Sequence, residues 1–163
     1  MNKHGSLFVI AAAGVLASGA SFAAVDPPNS KDLTQGHWEL NLTKSKFCNA
    51  APQKAGRQIF DAGWGLVVVE QSGVNAKGEP TSGRYVYRYD GDKYPDVITR
   101  AANEAIVWKL VSPTRVEFTH YDKQDKMTSE YVRTVSANGQ EMTQTGKFVG
   151  RECIDSQVFD RVK

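Results

Sequence analysis

A row of three tyrosines is the feature of this sequence that is best suited to binding chemistry. Tyr85, Tyr87 and Tyr89 occupy every second position of one stretch. Residues two apart in a β-strand point to the same side, so the three rings would share one face. Aromatic rings stack on flat organic molecules, and phenol hydroxyls offer hydrogen bonds. The face could therefore line a ligand cavity, although it could also simply fill a small barrel or face solvent.

The residues between the tyrosines indicate which face is internal. Arg84 and Arg88 alternate with the tyrosines and share the other face with Val86. Burying two unpaired guanidinium groups would cost several kcal/mol. The tyrosines are therefore predicted to point inward and the arginines outward.

A second inward face is predicted further along the chain. Ile106 and Trp108 share one side of an alternating stretch, and Val116, Phe118 and His120 share one side of the next. A histidine in an apolar cavity can act as a general acid or base. It can also be a hydrogen-bonded core residue, or lie at the mouth of a barrel. The candidate ligand-binding residues are thus Tyr85, Tyr87, Tyr89, Trp108, Phe118 and His120, and His120 is the candidate catalytic residue if the protein is an enzyme.

Other catalytic and metal-binding signatures are missing from the sequence. It contains no nucleophile elbow and no pair of histidines at metal-binding spacing. The glycines that flank Trp64 lack the strand–loop–helix context of a phosphate-binding loop. We therefore expect no metal and no cofactor, and binding is favoured over catalysis. Trp64 itself could be an exposed anchor for a protein partner.

The N-terminus has the pattern of an export signal. Residues 1–4 are short and basic, residues 7–17 are almost wholly apolar, and Ser21 and Ala23 are the small residues that signal peptidase reads. The apolar stretch is too short to cross a membrane as a helix, which needs ~20 residues. We predict that residues 1–23 are removed and that the protein is periplasmic or extracellular, without membrane insertion.

Charge and cysteine content narrow the possible partners. Without Lys3, 19 basic residues remain against 18 acidic ones, with no basic run. This balance gives no reason to expect nucleic acid or an anionic membrane as a partner. Cys48 and Cys153 are the only cysteines, and an even count in an exported chain favours a disulfide. Closing a loop of about 100 residues would stabilise the fold by roughly 4–5 kcal/mol. A catalytic or metal-binding thiol is the alternative.

The elements that must position these side chains are β-strands. After an irregular segment at residues 24–35, the domain from 36 to 163 shows eight or nine alternating stretches separated by turn-forming residues, with no evident helix. Successive tight turns favour pairing in chain order. We predict an all-β domain, an antiparallel up-and-down β-barrel of about eight strands with one disulfide, because closure removes exposed edges.

Residues 36–41, Gly-His-Trp-Glu-Leu-Asn, resemble the opening strand of lipocalins, in which a glycine-x-tryptophan strand closes the barrel floor. With residues 44–47, 89–95 and 133–143, they make the chain similar to a group of small secreted bacterial lipocalin-like, calycin-type proteins. The resemblance implies a β-barrel but no particular activity. It also implies that Trp38 is structural and that a basic residue of the last strand packs over it. Arg161 is the candidate for this residue, and Arg133 is the rival.

Three functions remain open on the sequence alone. The leading one is an exported lipocalin-like barrel that binds a small apolar or aromatic molecule in its cavity. The second is a small barrel enzyme of the isomerase, cyclase or hydratase type, with His120 as its acid or base. The third is a periplasmic inhibitor or protein-interaction module that presents the loops at residues 72–83 and 94–104 to its partner.

Overall fold

The computed structural model describes residues 32–95 and 105–162. Within these ranges the chain forms ten β-strands and no helix. No helix long and apolar enough to cross a membrane occurs in this part of the chain. The strands are β1 (Gly36–Leu40), β2 (Lys54–Asp61), β3 (Val67–Val74), β4 (Pro80–Tyr87), β5 (Lys93–Pro95), β6 (Ala105–Ser112), β7 (Arg115–Tyr121), β8 (Met127–Val135), β9 (Glu141–Phe148) and β10 (Ile154–Val162).

The ten strands form one antiparallel sheet that curls into a nearly closed barrel. Their order is β4-β3-β2-β1-β10-β9-β8-β7-β6-β5, so strands adjacent in the chain pair with each other, except β4 and β5, and β1 also pairs with β10. β4 and β5 are the two edges of the sheet and meet at a seam without a backbone ladder. The predicted all-β, up-and-down antiparallel barrel is confirmed, with ten strands rather than about eight.

The strands differ from the prediction in number and in length, because one short strand and the ends of two long ones lack the alternating pattern. β5 is a three-residue strand at positions that the sequence assigns to a turn. β3 and β4 both extend into residues 72–83, so the connection between them is only a tight turn closed by Asn75 and Glu79. Small and polar residues fill these strand ends and hide the apolar period. The predicted partner-presenting loop at 72–83 is therefore mostly strand, and residues 96–104 of the other loop lie outside the described residues.

One end of the barrel carries the predicted disulfide. Cys48 and Cys153 are bonded, which confirms the pairing. The bond joins the β1–β2 connection to the β9–β10 turn. Next to it, Lys46 forms an isolated bridge with Ser156, and the backbone N–H of Cys48 donates to Asp155. We refer to this end as the mouth.

The opposite end, the floor, is closed by a tryptophan and an arginine. Trp38 is fully buried, and the Arg161 guanidinium lies 4.1 Å from the centre of its ring. The same guanidinium donates to the backbone carbonyls of Leu33, Gln35 and Gly139. This is the contact that the lipocalin resemblance implies, and Arg161 makes it. It holds the start of β1, the end of β10 and the β8–β9 turn together.

The residues that precede β1 complete the floor. The Trp38 indole donates to the carbonyl oxygen of Thr34 at 2.8 Å. Asp32 is buried and accepts hydrogen bonds from the backbone N–H and hydroxyl of Thr34 and from the Tyr89 hydroxyl at 2.7 Å. Burial raises the pKa of Tyr89, and its neighbours Tyr87 and Asp32 raise it further, so the hydroxyl stays a donor. The described part of the predicted irregular segment is irregular but tightly held.

Gly36 gives a test of this floor. Its φ is +138°, and a Cβ built on it would lie 2.1 Å from Arg161 Nη1. We expect Gly36→Ala to destabilise the fold by about 3 kcal/mol, because it combines backbone strain with loss of the arginine contacts. Gly63→Ala is the matched control: φ is +89° and no atom lies within 4 Å of the added Cβ, so only about 1 kcal/mol of strain is expected. Equal losses in denaturant unfolding would contradict this account of the floor.

Candidate functional site

The half of the barrel next to the mouth contains a cavity of about 290 Å³. This volume lies near the lower end of the range for small-molecule sites, ~300–1,000 Å³. The half next to the floor is filled by packed side chains, among them Ile59, Val116, Met142 and Phe159, all of them buried. The cavity therefore accepts a small molecule only, and that molecule would enter from the mouth.

One wall of the cavity is a continuous stack of aromatic rings. The ring centres of Tyr85 and Trp108 are 5.7 Å apart, those of Trp108 and Phe118 are 4.2 Å apart, and those of Phe118 and Tyr131 are 4.9 Å apart. The planes of neighbouring rings are within 23° of parallel. Trp108, Phe118 and Tyr131 lie opposite one another on β6, β7 and β8. The wall is thus a row of four stacked aromatic rings beside the cavity.

A glycine makes room for the last ring of this wall. Gly146 on β9 pairs with Tyr131 on β8, and the ring of Tyr131 lies over it. A Cβ at this position would be 2.2 Å from Tyr131 Cε1. The side chain missing from β9 therefore lets Tyr131 lie flat against the sheet and parallel to Phe118, with ring planes 3° apart.

The opposite wall is polar and carries a guanidinium group. Arg57 from β2 and Gln144 from β9 both line the cavity, and Arg57 Nη1 donates to Gln144 Oε1 at 2.8 Å. Arg133 from β8 donates to the same oxygen, from Nη2 at 3.1 Å and from Nε at 3.4 Å. Arg133 does not line the cavity, and it is fully buried behind Gln144. Two cations therefore converge on one neutral amide oxygen.

The two guanidinium groups lack a negatively charged partner. No carboxylate in residues 32–95 and 105–162 lies within 4.0 Å of either one. Arg57 Nε and Arg133 Nη1 are buried without a hydrogen-bond acceptor. The Arg57 guanidinium lies 4.2 Å from the ring centre of Phe159, and that of Arg133 lies 5.5 Å from Trp108. Burial lowers the pKa of Arg57 to about 10, an effect that the charge of Arg133 reinforces and nearby tyrosines oppose, so Arg57 is still a cation at neutral pH.

The predicted ligand-binding residues divide between the cavity and the core. Two of the tyrosines lie below the cavity: Tyr87 is fully buried with its ring 3.9 Å from that of Trp108, and Tyr89 reaches the floor. β4 runs from mouth to floor, and two residues of strand advance about 7 Å. The row of tyrosines therefore extends beyond the cavity, which occupies only half of the barrel, and continues into the core. The four predicted residues that line the cavity are Tyr85, Trp108, Phe118 and His120.

His120 lies on the cavity wall near the mouth. Its ring centre is 5.8 Å from that of Phe118 and 5.2 Å from that of Tyr131. The inward orientation inferred from the alternation with Phe118 matches this position. Within the described part of the chain, no group of three or more His, Cys, Asp or Glu side chains could hold a metal ion.

Sequence reasoning missed the polar wall. Arg57 is absent from the predicted ligand-binding residues, and Arg133 is predicted only as the rival of Arg161 for the floor contact. The alternation contained the signal, because Arg57 is two residues from the buried Ile59, and Arg133 is two residues from the buried Val135. The general cost of burying arginine correctly places Arg84 at the surface. The same cost predicts no arginine inside the barrel, so it gives the wrong result for Arg57 and Arg133.

Comparison with known proteins supports the fold. No protein-family model matches the chain, and no curated protein matches its sequence. The solved structure of the fluorescent protein UnaG matches with a TM-score of 0.58 and 14% identity, over 78% of this chain and 96% of UnaG. As-p18, an extracellular fatty acid binding protein, matches with a TM-score of 0.56 and 10% identity, over 80% of this chain and 97% of its own. The fold is the antiparallel β-barrel of these two structures. At these identities the likeness concerns the fold alone.

Gly146 also provides a test of the aromatic wall. We expect Gly146→Ala to destabilise the protein by about 2 kcal/mol, because the new methyl group must displace the Tyr131 ring from a packed stack. Gly56→Ala is the control, since it also lies within a strand but its Cβ would meet only the Trp38 carbonyl oxygen, at 3.4 Å. We expect this control to change the free energy of unfolding by less than about 1 kcal/mol. A loss at Gly146 no larger than that at Gly56 would contradict the described packing.

Proposed function

We propose that this protein binds a small molecule with a flat aromatic or apolar body in the cavity of its barrel. The stacked wall of Tyr85, Trp108, Phe118 and Tyr131 beside the cavity is the observation that carries the proposal. An aromatic or apolar ligand can pack against the edges of these rings, or stack on a ring at the end of the row, and gain dispersion contacts there. The cavity volume limits it to about two fused rings with one substituent.

The likeness to other barrels supports this proposal. As-p18 is described as a fatty acid binding protein, and it shares the barrel architecture with this chain over most of both lengths. Small-molecule sites commonly occur in the mouths of β-barrels. A protein of this fold is thus described as binding fatty acids, whereas the ligand of this chain is argued from its own cavity.

The same proposal includes export. The basic start, the apolar stretch and the small residues at Ser21 and Ala23 support removal of residues 1–23. A disulfide between Cys48 and Cys153 suits an oxidising compartment such as the periplasm or the cell exterior. The lipocalin-like sequence stretches support a place among small secreted bacterial barrels. Mass spectrometry of the protein from its source should therefore find a mature N-terminus at Ala24, and an intact N-terminus would contradict export.

A second candidate function is catalysis in the same cavity. The observation that favours it is the position of His120 beside the aromatic wall, where a bound ligand would be within its reach. The histidine would then move a proton in an isomerisation, cyclisation or hydration. Unchanged turnover of a substrate by His120→Ala would remove this candidate. The third candidate function is a protein-interaction module. The observation that favours it is the Trp64 side chain, which is 90% exposed in the β2–β3 turn.

A pair of substitutions on β2 tests binding in the barrel. Ala55 lines the cavity, and its neighbour Lys54 is exposed. We expect Ala55→Trp to fill the cavity and weaken the binding of naphthalene-2-carboxamide by on the order of tenfold or more, equivalent to about 1.4 kcal/mol. Lys54→Trp adds the same side chain outside and should leave the affinity unchanged. Isothermal titration calorimetry measures both.

Native mass spectrometry of the protein purified from its source provides an independent test. A bound small molecule that is lost from Ala55→Trp and kept by Lys54→Trp would support the proposal. The proposal fails if naphthalene-2-carboxamide does not bind and no small molecule co-purifies, or if the two variants behave alike.

A further inference from the structure

We propose that the natural ligand of this cavity is a small carboxylic acid, whose carboxylate binds Arg57 and Arg133 at the position now taken by the side-chain amide of Gln144. The inference rests on the proposed function, because it concerns the same cavity. It narrows the small apolar or aromatic ligand predicted from the sequence to an amphipathic one with an acid group. The ring system would lie on the aromatic wall and the acid group would point to the polar wall.

The first argument is the unbalanced charge. Arg57 and Arg133 are both held inside the barrel, and the described residues place no carboxylate within 4.0 Å of either. Removing a guanidinium from water is costly, and apolar residues of similar size usually stabilise a core at least as well. Contacts with the faces of Phe159, Trp108 and Phe118 offset part of this cost. They add no negative charge, so the site attracts an anion.

The second argument is the number of unused hydrogen-bond donors. Each guanidinium carries five N–H groups, whereas Gln144 Oε1 is a single acceptor shared by the two arginines. Arg57 Nε and Arg133 Nη1 are buried without an acceptor. A carboxylate has two oxygens and about four acceptor directions. It could therefore accept from both arginines at once, with charge-assisted bonds that are stronger than those to a neutral amide.

The third argument is shape and access. Arg57 and Gln144 line the cavity, and Arg133 is reached through the place that the Gln144 amide occupies. A carboxylate is planar and similar in size to that amide, whereas a tetrahedral phosphate or sulfonate is larger. Gln144 is 8% exposed and joined to the backbone by a flexible chain, so it can yield the position by rotating toward Gln157, its partner on β10. The site beside the two arginines therefore fits a carboxylate better than a tetrahedral anion.

A pair of ligands with the same ring system tests the inference. Naphthalene-2-carboxylate and naphthalene-2-carboxamide differ in charge and hardly in shape, and both are measured at neutral pH by isothermal titration calorimetry. We expect the carboxylate to bind the wild-type protein about tenfold or more tightly than the amide. Arg57→Gln should lower the affinity for the carboxylate about tenfold and thereby remove most of its advantage over the amide. Arg84→Gln, an arginine on the outer face of β4, is the matched control and should change neither.

Gln144→Glu is the second variant, and it does not require removal of a buried arginine. A glutamate carboxylate at this position would pair with both guanidinium groups and act as a built-in ligand. We expect it to raise the midpoint of thermal unfolding and to abolish the preference for naphthalene-2-carboxylate over the carboxamide. Persistence of that preference in Gln144→Glu would overturn the inference.

The remaining outcomes separate the two proposals. Equal binding of carboxylate and carboxamide to the wild-type protein overturns the acid ligand and leaves the proposed function standing. Tighter binding of naphthalene-2-sulfonate or 2-naphthyl phosphate than of the carboxylate overturns the assignment of the head group. Binding of none of these compounds, together with no co-purifying molecule, overturns both proposals.

Discussion

The barrel depends on aromatic stacking across the seam where its backbone ladder is interrupted. β4 and β5 are the two edges of the sheet, and no ladder joins them. Tyr87 on β4 instead stacks on Trp108 of β6, with ring centres 3.9 Å apart and planes 6° from parallel, and Tyr85 stacks on the same indole. Side-chain contacts thus do at this point what hydrogen bonds do elsewhere in the sheet. Because the same indole is also part of the cavity wall, the contact that closes the barrel also determines the shape of the site.

The interior changes in character along the barrel axis. From the floor upward, the indole of Trp38 and the packed aliphatic layer give way to Arg133, Gln144 and Arg57, and then to open space. The packed layer supplies the apolar burial that a small barrel needs. The polar layer adds little to stability by itself. The polar layer lies between the packed core and the cavity, and the head group of a bound molecule would lie against it.

Much of the fold follows from local rules that the sequence displays. A period of two assigns Tyr85, Trp108 and Phe118 to the interior, and all three are buried there. The disulfide could be predicted because two cysteines allow a single pairing. β5 and the ends of β3 and β4 could not, since short or polar strands carry no apolar period and are held by their neighbours.

The site is less predictable than the fold, for a physical reason. Which inward residues meet a cavity depends on how completely side chains from opposite strands fill the space between them, and this is a property of the whole barrel. Tyr87 and Tyr85 have the same pattern in the sequence, yet one is in the core and the other lines the cavity. Arg57 and Arg133 are far apart in the chain and meet only because β2 and β8 lie across from each other, joined by one glutamine of β9.

The floor also determines where a tether or a fused domain can be joined without blocking the cavity. The backbone around Leu33 and the side chain of Arg161 are joined by a hydrogen bond, so both ends of the described chain emerge at the floor, while the cavity opens at the mouth. A tether or fused domain joined directly to residue 32 or to residue 162 would therefore leave the entrance unobstructed. Molecules immobilised in this way on a solid support would all direct their entrances toward the solution.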